Sequence, residues 1–344
     1  MATPKPTRSR RTSRPLDDLP NLFDMVEIDM SRDDIAGDVI AEHERQVAKA
    51  RADRSVELST ARPSRRMRFV TFGSGSSGNC AFIGNEKEGV LIDAGVDAKT
   101  VTERLAENEI SLSSVKGIIL THDHSDHLRY AYTLLRANKH MVLYCTPRTL
   151  NGIFRRSSIS RRIRDYHKAI YKEIPFTVGP LTITAFETSH DGTDNVGFAI
   201  DYDDNHFVIA TDTGYITERA DFYIRRANYL MIESNYDLDM LLNGPYPNYL
   251  KARIQSPRGH MDNAETASYL SQVCSPTLTH IFLCHLSEDN NNPEIALKTV
   301  TQALQSRGLK VGDAIHDAID AQVDVRVNVL PRFNSSPLFM LRHL

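Results

Sequence analysis

From Met67 onward, short apolar runs alternate with amphipathic segments, and this alternation limits the chain to a small set of folds. Buried strands are predicted by the length and the branched or aromatic content of the runs FVTF, GVLI, GIIL, MVLYC, LTITAF, HFVIA, YLMI and HIFLC. Helical periodicity lies between several of them, as in AKTVTERLAENEI and AETASYLSQV. Strands that alternate with helices, some of them in hairpins, predict a mixed-sheet α/β (α+β) fold with helices outside.

The first 66 residues have a different composition. Residues 1–15 are rich in Arg, Ser, Thr and Pro and contain no acid, and glycine is nearly absent from the whole segment. An amphipathic pattern over residues 31–53 predicts a short helix. We therefore predict a disordered N-terminal extension over 1–66 and one folded domain over 67–344.

Composition narrows the cellular setting. The chain is 41% hydrophobic and 25% charged, and its four cysteines form no C-x-x-C pair. No apolar run approaches the roughly 18 residues that a membrane span needs. These features predict a cytoplasmic protein without a membrane partner. The net charge of −3 gives no overall basicity that would favour nucleic acid, although a local basic patch remains possible, and the oligomeric state stays open.

The strand VKGIIL ends in THDHSDH, residues 121–127, which contains three of the thirteen histidines of the chain. His122 and His124 are two residues apart on extended backbone, so their side chains project to the same side. Asp126 and His127 follow at the start of the next helix and can face the same point. Imidazole and carboxylate together suit Zn²⁺, Mn²⁺ or Fe²⁺. A merely solvated polar turn would leave four such side chains without a role.

Three more ligand-type residues follow apolar β runs elsewhere: His190, Asp212 and His285. Strand ends gather side chains from distant parts of a sequence at one edge of a sheet. A lone histidine of this kind is more often structural, but three such residues combined with the cluster predict one metal centre.

This set of residues, with LIDAG at Asp93, resembles the motifs of the metallo-β-lactamase fold superfamily. The resemblance implies a four-layer αββα sandwich with two divalent ions, Zn²⁺ or Mn²⁺, at one edge of the sheets. It also implies the ligands: His122, His124 and His190 for one ion, Asp126, His127 and His285 for the other, and Asp212 as a bridge. Asp93 would orient a ligand, or would simply end a strand.

Two ions this close would hold a hydroxide between them as the nucleophile, so the expected reaction is hydrolysis, with Asp126 orienting or deprotonating the water. The loop SPRGHMDN, residues 256–263, adds a histidine beyond the metal set. His260 could donate a proton to a leaving alkoxide, and Ser256, Arg258 and Asn263 are typical of phosphate recognition. The alternative is an ordinary loop histidine.

Two other segments bear on the substrate. The Gly/Ser turn FGSGSSGN, with Ser76 and Asn79, could present polar groups to phosphate or could be a plain hairpin loop. The stretch 148–172 carries eight basic residues, Arg155 and Arg156 among them, with interleaved aromatic residues. It would attract a phosphate backbone, or would form a solvated basic helix face with equal ease.

Together with SHDGTDNVGF, YPNYL and LCHLSEDNNNPEIA, these segments resemble the YycJ/WalJ-type hydrolases of the superfamily over residues 67–309. The resemblance implies a 5′→3′ DNA exonuclease linked to DNA repair. Two departures stand out. Met261 and Asp262 replace a Leu-Ser pair common in that branch, so that Asp262 would either repel phosphate or point away. The stretch between Asp212 and His260 is also too short for the β-CASP insert of related nucleases.

We therefore expect a dinuclear metal-dependent phosphodiesterase with DNA as its substrate. The alternative is a small-molecule hydrolase of the same fold, acting on a thioester, a lactone or a cyclic nucleotide. A third hypothesis is a regulatory protein whose metals are structural, but a ligand set with open positions disfavours it.

Overall fold

The structure is a computed structural model that describes residues 66–313 and 322–342, and within them the chain forms two β-sheets. The predicted N-terminal extension over 1–66, with its helix over 31–53, lies outside the described residues except for Arg66. No helix among the described residues combines the length and the apolar character that crossing a bilayer requires.

The first sheet has the order β15-β1-β2-β3-β4-β5-β6. Its strands are β1 (Met67–Gly73), β2 (Cys80–Gly84), β3 (Gly89–Ile92), β4 (Val115–Ile119), β5 (Val142–Cys145), β6 (His167–Ala169) and β15 (Phe339–Leu341). Strands β3 to β6 run parallel to one another, whereas β15, β1, β2 and β3 pair antiparallel in that order.

The second sheet has the order β13-β14-β12-β11-β10-β9-β8-β7. Its strands are β7 (Phe176–Val178), β8 (Leu181–Glu187), β9 (Val196–Tyr202), β10 (Asn205–Ala210), β11 (Tyr229–Glu233), β12 (His280–Cys284), β13 (Val311–Gly312) and β14 (Val325–Val329). Strands β10, β11, β12 and β14 are parallel, and β8 shares their direction because β9 is antiparallel to both β8 and β10.

The described residues also form α-helices, most of which pack on the outer faces of the two sheets. They are α1 (Ala98–Glu107), α2 (Ser125–Leu128), α3 (Ala131–Ala137), α4 (Pro147–Arg156), α5 (Glu218–Ile224), α6 (Leu238–Asn243), α7 (Asn248–Ile254), α8 (Asn263–Val273) and α9 (Pro293–Ser306), with 3-10 turns at Leu112–Ser114 and Arg161–Tyr166.

Alternation within the strands separates the core into layers. In β1, Phe69 faces the second sheet, where its ring centroid lies 4.6 Å from that of Phe207 and 5.0 Å from that of Phe282. Phe72 of the same strand faces the helices of the first sheet. A third apolar layer joins the second sheet to α5, α8 and α9. The four-layer αββα sandwich expected from the sequence is confirmed.

One predicted helix is divided. The sequence favours a single helix through HLRYAYTLLRANK, but the structure ends α2 at Leu128 and starts α3 at Ala131. The carbonyls of Asp126 and His127 accept hydrogen bonds from the main-chain N–H groups of Asn79 and Ala94, at 2.8 Å and 2.6 Å. These tertiary bonds take acceptors that a continuous helix would use. The break holds Asp126 and His127 at the sheet edge.

Candidate metal centre

Six strands direct polar residues to one edge of the sandwich. Strands β3 and β4 of the first sheet and β8, β10, β11 and β12 of the second end there, because their carboxyl ends point the same way. The expectation that strand ends bring distant ligands together is therefore met by the topology.

The first group combines His122 and His124, which follow β4, with His190, which follows β8. Each offers a nitrogen atom, and these atoms lie within 4.8 Å of one another. His122 and His190 are buried, and His124 is partly exposed. Because the group contains residues of both sheets, it spans the sandwich edge.

The second group lies beside the first. Asp126 and His127 belong to α2 and His285 follows β12, and their ligand atoms also lie within 4.8 Å of one another. Asp212, after β10, forms a further group with His122 and His127. Its Oδ2 is 3.2 Å from Nε2 of His127, and its Oδ1 is 3.7 Å from Nε2 of His190. Asp212 therefore lies between the two groups.

Three of the strand-end residues adopt left-handed backbone. Asp93, Asp212 and His285 have φ values of 60°, 50° and 55°. This region is uncommon for residues other than glycine, and it occurs where surrounding contacts enforce it. The sharp turn at each position directs the side chain from the end of its strand into the centre.

Hydrogen bonds set the orientation of the imidazole rings. Nδ1 of His127 donates to Asp93 at 2.7 Å, and Nδ1 of His190 donates to the main-chain oxygen of Gly259 at 2.9 Å. Nδ1 of His122 lies 3.0 Å from the Thr121 hydroxyl, which itself donates to Asp93. With the proton assigned to Nδ1 by these partners, each ring presents the lone pair of Nε2 to the centre.

The residues fit the metals that the fold family implies. Among the described residues, the Nε2 atoms of His122 and His285 are buried and lack a hydrogen-bond partner. A buried polar atom without a partner costs free energy, and a divalent ion would supply the missing interaction. Imidazole nitrogen and carboxylate oxygen are also the donors that Zn²⁺ and Mn²⁺ accept.

The pKa shifts of the residues in the centre also favour the binding of divalent ions. Burial would raise the pKa of the Asp126 carboxyl, but His127 and His285 outweigh burial and hold that pKa well below its usual range. Burial would lower the pKa of His285, yet Asp212, Asp126 and Glu233 raise it to about 10. The carboxylates therefore need positive charge beside them, which protons supply in the metal-free protein. Divalent ions would displace these protons on binding.

Glu233, the last residue of β11, belongs to the centre but was not among the residues expected from the sequence. Its side chain is 0% exposed, and its Oε1 accepts from Nδ1 of His260 at 2.6 Å and Nδ1 of His285 at 3.0 Å. Its Oε2 accepts from the main-chain N–H of Thr213 at 2.7 Å. The run YLMIE carried the signal, because an acid that ends an apolar strand is the pattern that identified Asp212.

The loop over residues 256–263 lies against the centre, but its residues differ in position. The ring of His260 lies 4.8 Å from that of His190, centroid to centroid. Arg258 donates through Nε to the main-chain oxygen of His190 at 3.2 Å. The hydroxyl of Ser256 donates to the main-chain oxygen of Arg253. Asn263 is buried and bonds to Ser234 and Asn291, which directs it into the interior.

Asp262 does not face the loop's polar groups. Its carboxylate accepts from the main-chain N–H of Glu265 at 2.7 Å and caps the N-terminus of α8. The cap interaction directs the carboxylate toward the first turn of α8.

Of the residues expected from the Gly/Ser turn and from the basic stretch, some lie near the centre and others do not. Ser76 is exposed, whereas Asn79 is buried and its Nδ2 lies 3.2 Å from Oδ2 of Asp126 and 2.9 Å from Nε2 of His127. Arg155 is exposed on α4, and Arg156 donates to the main-chain oxygen of Asp191 at 3.2 Å. Asn79 and Arg156 therefore reach the surroundings of the centre.

Known proteins share this architecture. The model of the Beta-lactamase superfamily domain matches residues 89–281. Exodeoxyribonuclease YycJ of Bacillus anthracis is 34% identical over 254 residues, which are 73% of this chain and 95% of that protein. Exodeoxyribonuclease WalJ of Streptococcus pneumoniae is 32% identical over 246 residues, 71% of this chain and 91% of that protein.

A solved structure supports the fold alone. The metallo-β-lactamase fold protein YhfI of Bacillus subtilis superimposes with a TM-score of 0.57 at 17% identity, covering 79% of this chain and 99% of that one. The chain therefore belongs to the metallo-β-lactamase fold superfamily, as a hydrolase of the family that includes YycJ and WalJ.

Proposed function

We propose that the chain is a dinuclear metal-dependent phosphodiesterase that degrades DNA as a 5′→3′ exonuclease and acts in DNA repair. The relatives named exodeoxyribonuclease, which the chain covers almost completely, support DNA as the substrate. The four cysteines are free thiols, which supports the reducing cytoplasm as its compartment.

The proposed ligands follow the groups described above. His122, His124 and His190 would hold one ion, Asp126, His127 and His285 would hold the other, and Asp212, which lies between the two groups, would serve both. Zn²⁺ or Mn²⁺ held there would activate water for attack and neutralise the charge that develops at phosphorus.

The observation that carries the proposal is the Glu233–His260 pair. His260 is an imidazole beyond the seven proposed ligands, and its Nδ1 is fixed by a fully buried carboxylate. That contact fixes the orientation of the ring through Nδ1 and leaves Nε2 as the atom from which a proton would pass to the leaving oxygen as the P–O bond breaks. A sugar alkoxide is a poor leaving group that needs this proton.

Besides the proton donor His260, we assign a role to Asp126 at the attacking water. Its Oδ2 is 3.2 Å from Nδ2 of Asn79 and 3.6 Å from Nε2 of His285, while its side chain keeps 19% exposure. A carboxylate that is fixed yet reachable from solvent can orient the attacking water by accepting a hydrogen bond from it.

Leaving-group dependence tests the role of His260. His260→Ala should lower DNA hydrolysis by about 100-fold or more, a typical contribution of general acid catalysis. Hydrolysis of bis(p-nitrophenyl) phosphate should change little, because nitrophenolate leaves without a proton. Equal losses on both substrates would contradict a proton-donor role.

A substrate panel tests the function itself. Purified chain with Mn²⁺ or Zn²⁺ is expected to release nucleotides from duplex DNA, and phosphorothioate bonds should block degradation at the 5′ end but not at the 3′ end. Degradation that starts from a nick would support a role in repair. Hydrolysis of a thioester, lactone or cyclic nucleotide with no action on DNA would instead establish a small-molecule hydrolase.

A further inference from the structure

Three arginines converge on the dipeptide His190–Asp191. Arg253 of α7 donates through Nε to the Asp191 carboxylate at 2.7 Å. Arg156 donates to the main-chain oxygen of Asp191 at 3.2 Å, and Arg258 donates to that of His190 at 3.2 Å. Arg253 and Arg258 are neighbours in sequence, whereas Arg156 lies far from both, so tertiary structure brings Arg156 to them.

This dipeptide borders the metal centre directly. His190 is a proposed ligand, and Oδ1 of Asp191 lies 3.2 Å from Nε2 of His124. The side chains of Arg253 and Arg156 remain 57% and 49% exposed. A guanidinium has five N–H donors, so those that face solvent can still bind phosphate oxygens.

An exposed aromatic residue lies one helical turn from Arg253. Tyr249 of α7 is 78% exposed, and residues four apart share one face of a helix. An adjacent face of α7 is anchored, because Leu250 and Ile254 pack against Tyr236 and its apolar neighbours. Tyr249 is therefore an aromatic ring held in solvent on a fixed helix.

We propose that Tyr249, Arg253, Arg258 and Arg156 form a strand-binding strip for the DNA that flanks the scissile phosphate. The arginines bind backbone phosphates, and Tyr249 stacks on the base of an unpaired nucleotide. This assignment rests on the proposed function and adds the residues that would deliver the strand to the metals. Stacking on an aromatic ring tolerates any base, which suits an enzyme that must pass along a sequence.

The test for Arg253 measures binding by the metal-loaded protein. Fluorescence anisotropy with phosphorothioate DNA carrying a single-stranded 5′ end gives Kd between 50 and 200 mM salt. Arg253→Gln should weaken binding roughly ten-fold, as loss of a charged hydrogen bond predicts. It should also reduce the slope of log K against log salt by about 0.7–0.9, the value for one phosphate contact.

Arg225→Gln is the matched control. Arg225 donates through Nε to Asp221 at 2.7 Å with 54% side-chain exposure, much like Arg253 with Asp191. It precedes β11, whose opposite end carries Glu233, so it lies away from the metal centre. Its loss should leave both Kd and the salt slope unchanged.

Tyr249 is tested with 2-aminopurine placed in the single-stranded end. Tyr249→Ala should lose the fluorescence quenching by the protein and bind about five-fold more weakly or worse, whereas Tyr249→Phe should retain both. Equal quenching in all three proteins would overturn the stacking role.

The outcomes separate the inference from the function it rests on. If the wild-type protein degrades DNA while Arg253→Gln and Tyr249→Ala bind as tightly as Arg225→Gln, the strip is wrong and the function stands. Loss of bound metal in Arg253→Gln would show that the arginine acts only through Asp191 and would also overturn the strip. If the wild-type protein neither binds nor degrades DNA, both proposals fail together.

Discussion

Glu233→Gln is the substitution that probes the centre most sharply. The side chain keeps its shape but loses one negative charge. In the structure the buried carboxylate accepts three hydrogen bonds, from Nδ1 of His260, Nδ1 of His285 and the main-chain N–H of Thr213. Glutamine has one acceptor oxygen, so it cannot serve both sides of this arrangement.

The side-chain amide introduced by Glu233→Gln can take two orientations, and each of them disrupts hydrogen bonds of the centre. If its oxygen faces the imidazoles, its NH₂ group meets the N–H of Thr213, and a buried donor left unpaired costs about 1–3 kcal/mol. If its NH₂ group faces the imidazoles, His260 and His285 must carry their protons on Nε2. His285 would then lose the lone pair proposed for the metal, and His260 would lose its fixed proton-donor arrangement.

Two measurements follow. We expect the unfolding free energy of the metal-free protein to fall by about 1–3 kcal/mol in urea titrations. Either the metal affinity or the activity should fall about 10–100-fold, as for other residues that orient a ligand. Metal affinity is measured by competition with a chelating dye. Glu265→Gln, an exposed acid on α8, is the control. A Glu233→Gln protein with unchanged stability, metal affinity and pH–rate profile would refute the tautomer argument.

Four further predictions concern single residues. A Cβ at Gly95 would lie 1.5 Å from the carbonyl oxygen of Asp126, so Gly95→Ala should displace that residue and lower DNA hydrolysis about 100-fold. Gly308→Ala, which meets nothing within 4 Å but has φ of +83°, should cost about 1–2 kcal/mol of stability with activity kept. Asp262→Ala should cost about 1 kcal/mol of stability in urea through loss of a helix cap; a large gain in DNA binding would show that the carboxylate repels phosphate after all. Burial lowers the pKa of His280 to about 4, so the unfolded chain takes up its proton first as pH falls. Stability should drop between pH 6.5 and 4 by up to about 1.4 kcal/mol per pH unit, and His280→Gln should remove that part of the slope.

The residues that gather at the candidate metal centre could be predicted because they obey a local rule. His122, His190, Asp212 and His285 each follow an apolar run, and parallel strands in a sandwich bring such ends to one edge. Glu233 obeys the same rule at the end of the run YLMIE, so the signal was present in the sequence although Glu233 was not among the expected residues.

The substrate residues could not be predicted in this way, because tertiary contacts decide their environment. Asn79 faces Asp126 across 47 positions of sequence. Within the basic stretch, Arg164 lies over the ring of Phe154 at 5.0 Å, and Arg162 pairs with Asp165. Only the folded chain separates such locally engaged arginines from Arg156, which reaches the edge of the metal centre.

Each proposed ion takes ligands from both sheets, and this has a consequence beyond catalysis. His122 and His124 belong to the first sheet and His190 to the second, so an ion bound by all three recognises only the assembled sandwich. A ligand that binds the native state alone adds about 4 kcal/mol of stability when its free concentration is 1,000 times its Kd. Metal supply would then govern how much folded protein survives proteolysis in the cell, as well as how fast each molecule works.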